Sequence, residues 1–242
     1  MSKILNLQRL ILAIAVFAVI AVASVAASAD TITLNTAPGA TTGGGPVSAA
    51  VTFTVNPGGT LTIQLTNFTV KPTDVAQNIS DLSFHAGTLS GSLSTSTANF
   101  INVLGDGTTT GAGSGPAGCT NCAGWGLDSS SGGNFHLTAL GFIGPAGTIL
   151  GAPDPGGVYS NANGSIAGNG PHNPFINQTA TFTLTIPGLT SVSQLSNVSI
   201  SFGTVPGVNV PVSNLPEPTT MMLLGTGLLG VAGVARRRFR KS

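Results

Sequence analysis

The sequence predicts an all-β protein: an antiparallel β-sandwich of jelly-roll or immunoglobulin-like type, with an N-terminal signal peptide and one C-terminal transmembrane helix. Three observations lead there. Short segments alternate apolar and hydroxyl-bearing residues with a period of two, as in VTFTV and TFTLTIP, which is the signature of strands with one buried face. Long apolar runs occur only at the two ends, at Leu10 to Ala23 and Thr219 to Ala235. Between those ends the chain is almost uncharged, and glycine, proline and asparagine punctuate it at turn spacing.

Residues 1–29 read as a secretory signal peptide. Lys3 and Arg9 form a basic start, 14 apolar residues follow, and Ala27-Ser28-Ala29 supplies the small residues that a signal peptidase reads. Asp30 is then the first mature residue. The exported body, 30–214, is long enough for one domain. Its strands are expected at 31–35, 48–56, 60–70, 79–86, 97–104, 134–143, 179–186 and 196–204. At Asn67-Phe68 the alternation slips phase, which predicts a bulge or a strand passing to another sheet. Nine of the 11 phenylalanines lie in the body, most of them in these segments. At about 1.5–3 kcal/mol for each buried side chain, they can sustain a core without metal.

The body holds Lys71 against Asp30, Asp74, Asp81, Asp106, Asp128 and Asp154, a net charge of 1 − 6 = −5. That balance argues against nucleic acid and anionic lipid, which need clustered cations. Two Gly/Ser/Pro-rich stretches, 105–133 and 144–174, interrupt the strand pattern. They are too long for hairpin turns and are the expected functional loops. Cys119 and Cys122, separated by two residues, are expected to form a local disulfide, since no βαβ unit surrounds them to make a redox site. Trp125 and Tyr159 are the candidate ligand contacts, as stacking platforms. No cofactor is expected, no metal set has diagnostic spacing, and no nucleophile elbow is present. Asp106-Gly107 and the run Asp128 to Asn134 match a calcium loop poorly. His85 and His136 sit in alternating segments as outward sheet residues. Thr-x-Thr pairs begin near 31, 52, 60, 95 and 179 with gaps of 21, 8, 35 and 84, so no repeat period exists from which to build a solenoid ladder.

The tail, 215–242, has three parts. Pro216, Glu217 and Pro218 disfavour helix and stay extended. The 17-residue apolar run after them reaches ~25 Å as a helix, near the lower limit for a bilayer core. Arg236, Arg237 and Arg238, with Arg240 and Lys241, close it as a stop-transfer signal that stays cytoplasmic. The signal peptide sends the body to the opposite side, so both ends give one topology.

Together these parts resemble the PEP-CTERM sorting signal of Gram-negative bacteria, a tail that also goes under the label "ice-binding protein C-terminal domain". This chain has Leu215 where valine is commonest. The resemblance implies recognition of Pro216, Glu217 and Pro218 by exosortase, a membrane-embedded cysteine transpeptidase of bacteria that make exopolysaccharide. It implies an inner-membrane-anchored intermediate, then delivery to the cell surface or extracellular matrix. The expected function is that of a non-enzymatic surface or exopolysaccharide-matrix protein, with signal peptidase and exosortase as processing partners. A carbohydrate-binding module and a small redox protein using Cys119 and Cys122 are the alternatives.

Overall fold

A computed structural model describes residues 29–113 and 122–213. The signal peptide, Cys119, the sorting triplet, the apolar tail and its arginines lie outside the described residues. In chain order the strands are β1 (Asp30–Thr36), β2 (Thr41–Thr42), β3 (Gly45–Pro46), β4 (Ala49–Asn56), β5 (Thr60–Asn67), β6 (Ile79–His85) and β7 (Ser92–Val103). They continue as β8 (Thr109–Gly113), β9 (Gly126–Ser131), β10 (Asn134–Thr138), β11 (Ile149–Leu150), β12 (Phe175–Thr185), β13 (Ser196–Phe202) and β14 (Asn209–Ser213). Two single 3-10 turns, at Val75–Gln77 and Val192–Gln194, are the helical elements among the described residues. No described helix is long and apolar enough to cross a membrane.

The protein is all-β, but its hydrogen bonds do not divide into the two separate sheets of a sandwich. Strands β12, β5, β4, β1, β14, β13 and β6 pair in that order, and β11 pairs with both β6 and β12. The sheet therefore closes on itself as an eight-stranded barrel, which leaves no open edge within the ring itself. Two short extensions leave the ring: β7 and β8 beyond β12, and β10 and β9 beyond β6. The closing strand is two residues long and parallel to β12. It lies in a Gly/Pro-rich stretch with no alternation, so its role could not be read from periodicity.

Asn67 makes the closure possible. It ends β5, is 1% exposed, and donates through Nδ2 to the carbonyls of Gln77 and Ile149, each at 2.9 Å, while Oδ1 accepts from Thr69 N at 3.0 Å. One amide thus ties the end of β5 to β11 and to the entry of β6. The phase slip expected at Asn67-Phe68 is a strand end: Phe68 is exposed, and the chain turns at Lys71 with φ 55°.

Inside the ring, alternate residues of β4, β5, β6, β10, β12 and β13 form the main core. Phe53 of β4 meets Phe84 of β6 edge-on at 5.4 Å, so opposite walls touch across the interior, and Phe84 stacks at 4.9 Å on Phe135, its register partner on neighbouring β10. Seven of the nine body phenylalanines are buried, with Phe68 and Phe142 exposed. Further strands escaped the sequence reading because they are short or Gly-rich: β2, β3, β8, β9 and β14, besides β11.

Replacing Asn67 by alanine should cost about 2–4 kcal/mol, since two buried carbonyls lose their donor. For a domain of this size that lowers the melting temperature by about 5–15 °C. A circular-dichroism melt checks it; an unchanged melting temperature would show that the closure does not depend on this amide.

Candidate functional site

The stretch 144–174, and Trp125 from the stretch 105–133, are built into the fold. The stretch 144–174 packs a second apolar cluster of Val75, Val103, Leu150, Tyr159, Ile166 and Phe175. Tyr159 is 2% exposed and donates its hydroxyl to Gly151 O at 2.9 Å; burial pushes its pKa well up. Trp125 is 4% exposed, tilts against Phe182 at 5.2 Å, and gives its indole N–H to Gly147 O at 2.8 Å. Neither ring can serve as an exposed stacking platform, which corrects the expected ligand contacts. Each has its one polar group satisfied by the backbone, as a buried Trp or Tyr requires. The stretches were expected to be functional because of their length, and several of their glycines, among them Gly107, Gly147 and Gly151, sit where a Cβ would meet a neighbouring residue at under 3 Å.

The acidic turns have structural work as well. Asp154 Oδ1 accepts from Gly156 N and Val158 N, and Oδ2 accepts from the Ser160 hydroxyl at 2.7 Å. Asp106 accepts from Thr108 N and its hydroxyl. These bonds hold both carboxyls below their usual range. The run Asp128 to Asn134 is the β9–β10 hairpin, whose two-residue turn Gly132-Gly133 has φ 61° and 82°. Positive φ at both positions suits the turn that matches strand twist, and a Cβ at Gly133 would collide with the Gly87 carbonyl. Among the described residues no group of three His, Cys, Asp or Glu is arranged to hold a metal ion.

One polar constellation was not legible in the sequence. His136 on β10 stands outward, as its alternation indicated, and its two ring nitrogens face two carboxylates. Nδ1 lies 2.7 Å from Asp128 Oδ1 on β9, and Nε2 lies 3.5 Å from Asp81 Oδ1 on β6. Asp128 is half exposed, whereas Asp81 is 1% exposed and neither of its oxygens has a hydrogen-bond partner of good geometry. The neighbouring Ser201 hydroxyl is given to Asn209 Oδ1. Burial raises the Asp81 pKa, and Ser201 and His136 offset this only in part. An open concavity of about 510 Å³ lies elsewhere, between the β4–β5 turn and Pro187 to Thr190, with a lining mostly of Gly, Pro and apolar groups. Asp81, Asp128 and His136 are brought together by strand pairing, and their separations of 47 and 8 residues match no motif.

Cys122 is disulfide-bonded. Its expected partner, Cys119, lies outside the described residues. The last described strand, β14, stops at Ser213, beside Asn35 of β1.

Residues 214–238, the next 25, match the family model for the PEP-CTERM protein-sorting motif. The chain carries a PEP-CTERM sorting signal. The PEP-CTERM motif implies processing by exosortase, export, and sorting to the cell envelope or surface. It covers a small part of the 242 residues and does not reach the barrel. No curated protein and no solved structure matches the chain.

Two outcomes follow. Asp81 has a raised pKa in the folded state, so the folded form holds a proton that the unfolded chain releases. The burial penalty is therefore absent below the unfolded pKa of about 3.9 and grows as pH rises toward the folded pKa. Asp81→Asn should melt a few degrees above the parent at pH 7, with the gap closing near pH 4; a lower melting temperature at pH 7 would mean that the carboxylate is net stabilising. Alkylation of denatured, non-reduced protein recovered from the envelope should label neither Cys119 nor Cys122, and labelling both would rule out their bond.

Proposed function

We propose that this chain is an exosortase-sorted surface or exopolysaccharide-matrix protein whose β-barrel body is displayed without catalysing a reaction. The observation that carries this reading is the PEP-CTERM match at residues 214–238, which begins one residue beyond the last strand. In this reading residues 1–29 are removed on export. The apolar run from Thr219 to Ala235 holds the chain in the inner membrane, with Arg236, Arg237 and Arg238 on the cytoplasmic side. Pro216, Glu217 and Pro218 then stand extended between body and membrane, within reach of the processing enzyme.

The body suits such a passage. Asp30, the first residue after the proposed signal-peptide cut, opens β1 and pairs with Val55. Its carboxylate accepts from the Ser191 hydroxyl at 2.7 Å and from Val192 N at 2.9 Å, which lowers its pKa. Removal of residues 1–29 leaves that strand intact. At the other end, β14 stops at Ser213, and two residues separate it from the Pro216-Glu217-Pro218 triplet.

Intact-mass measurement of surface-located protein should show loss of residues 1–29 and of everything beyond the vicinity of Pro216-Glu217-Pro218. Glu217→Ala should accumulate uncleaved chain in the inner membrane. Mature surface protein that still ends at Ser242 would replace sorting with permanent anchoring.

A further inference from the structure

The threonine pairs that lack any period in the sequence acquire one in the sheet. Antiparallel pairing places Thr31 beside Thr54, Thr54 beside Thr62, Thr62 beside Thr183, and Thr183 beside Thr95. The next rank joins Thr33, Thr52, Gln64, Thr181 and Thr97. Two ranks across β1, β4, β5, β12 and β7 thus hold nine threonines in ten positions. Strands lie about 4.8 Å apart and alternate residues about 6.8 Å apart along a strand, so the hydroxyls and methyls form a two-dimensional grid. Pairing from β1 to β12 is free of register shifts. The absence of a sequence period excludes a solenoid, but it does not exclude a ladder, because antiparallel register aligns segments at any separation.

Two features set this face apart from an ordinary solvated sheet. Solvent faces of sheets usually carry Lys, Glu or other charges that keep the protein soluble and protect its edges. Here the outward positions of five adjacent strands hold no charged side chain. Secondly, the hydroxyls pair side by side: Thr31 with Thr54 at 3.0 Å, Thr33 with Thr52 at 2.9 Å, and Thr66 with Thr179 at 3.1 Å. Each bond restricts the rotamers of both side chains, leaving less ordering entropy to be lost on contact. Trp125 and Tyr159 are inside, so neither ring is available to grip a sugar from this face.

We propose that this threonine face is the body's matrix-contact surface and that it takes an extended, neutral, hydroxyl-rich polysaccharide; this rests on the sorting reading above. Threonine hydroxyls donate and accept, as sugar hydroxyls do, and the methyls between them meet sugar C–H faces. A face without cations, on a body of net charge −5, repels uronate or sulfate polymers and accepts uncharged ones. Single hydroxyl contacts in water are worth little, so binding accumulates only along a polymer that spans several strands. Long chains are held, and short oligosaccharides are not.

The test uses processed protein recovered from the cell surface, mixed with amylose, dextran or microcrystalline cellulose as neutral polymers and with alginate as an acidic one. The parent should be retained on at least one neutral polymer and not on alginate. Thr54→Val, Thr62→Val and Thr183→Val together keep β-branched side chains and remove three hydroxyls, which should lower retention about tenfold or more with the melting temperature unchanged. Should that triple variant melt early, Thr33→Lys at the exposed margin gives the same readout by placing a charge on the face. Retention that ignores both variants, retention on alginate alone, or no retention on any polymer overturns the proposal. Inhibition of ice recrystallisation that the same variants abolish, without polymer binding, would replace the polysaccharide with an ice lattice. In each of these cases the protein has already been found processed at the surface, so the sorting reading stands or falls separately, on its mass.

Discussion

Closure of the sheet through β11 is the constraint on which the rest of this structure depends. A body with seven charged side chains between residues 30 and 214 has few of the usual means of guarding an open strand edge. Ile149 and Leu150 fill the space that continues β5, pairing with β12 on one side and β6 on the other. The amide of Asn67 secures that splice from the end of β5. With the ring closed, apolar residues that alternate along each strand face one interior, and Phe53 meets Phe84 across it.

The closure also explains why the stretch 144–174 is packed against the barrel. The segment that supplies β11 must leave and re-enter the sheet, and it does so through 144–174, which covers Val103, Leu150 and Phe175 with Tyr159 and Ile166. The distinctive aromatic residues are spent on that packing. What remains outside is hydroxyl-rich and uncharged on the β1–β4–β5–β12–β7 side. The other side carries the bridging His136, with Asp128 half exposed and Asp81 buried.

Periodicity made much of the fold legible. The eight expected segments each overlap an observed strand, because half-buried strands must alternate and nothing else in the body does. The ends of those segments were less secure. The run at 134–143 stops as a strand at Thr138, since the chain turns there and Ala139 O accepts from the N–H groups of Phe142, Ile143 and Gly144. Phe175 and Ile176 extend β12 earlier than alternation indicated, because a register shift lies between Ile176 and Ala180. Trp125 and Tyr159 were misjudged since composition reports which residues a loop contains and not whether the loop is packed.

By itself the sequence determined the strand class, the acidic and weakly charged character of the body, and the sorting signal at residues 214–238. Each of these is local: alternation, charge count and a contiguous motif need no partner distant in the chain. Only the tertiary structure decided that the sheet closes, that the loop aromatics are inside, and that Asp81, His136 and Asp128 converge. It alone also assembled scattered Thr-x-Thr pairs into two continuous ranks. Those outcomes depend on which strands become neighbours and in what register, and antiparallel pairing can join segments over 100 residues apart without leaving a period to read.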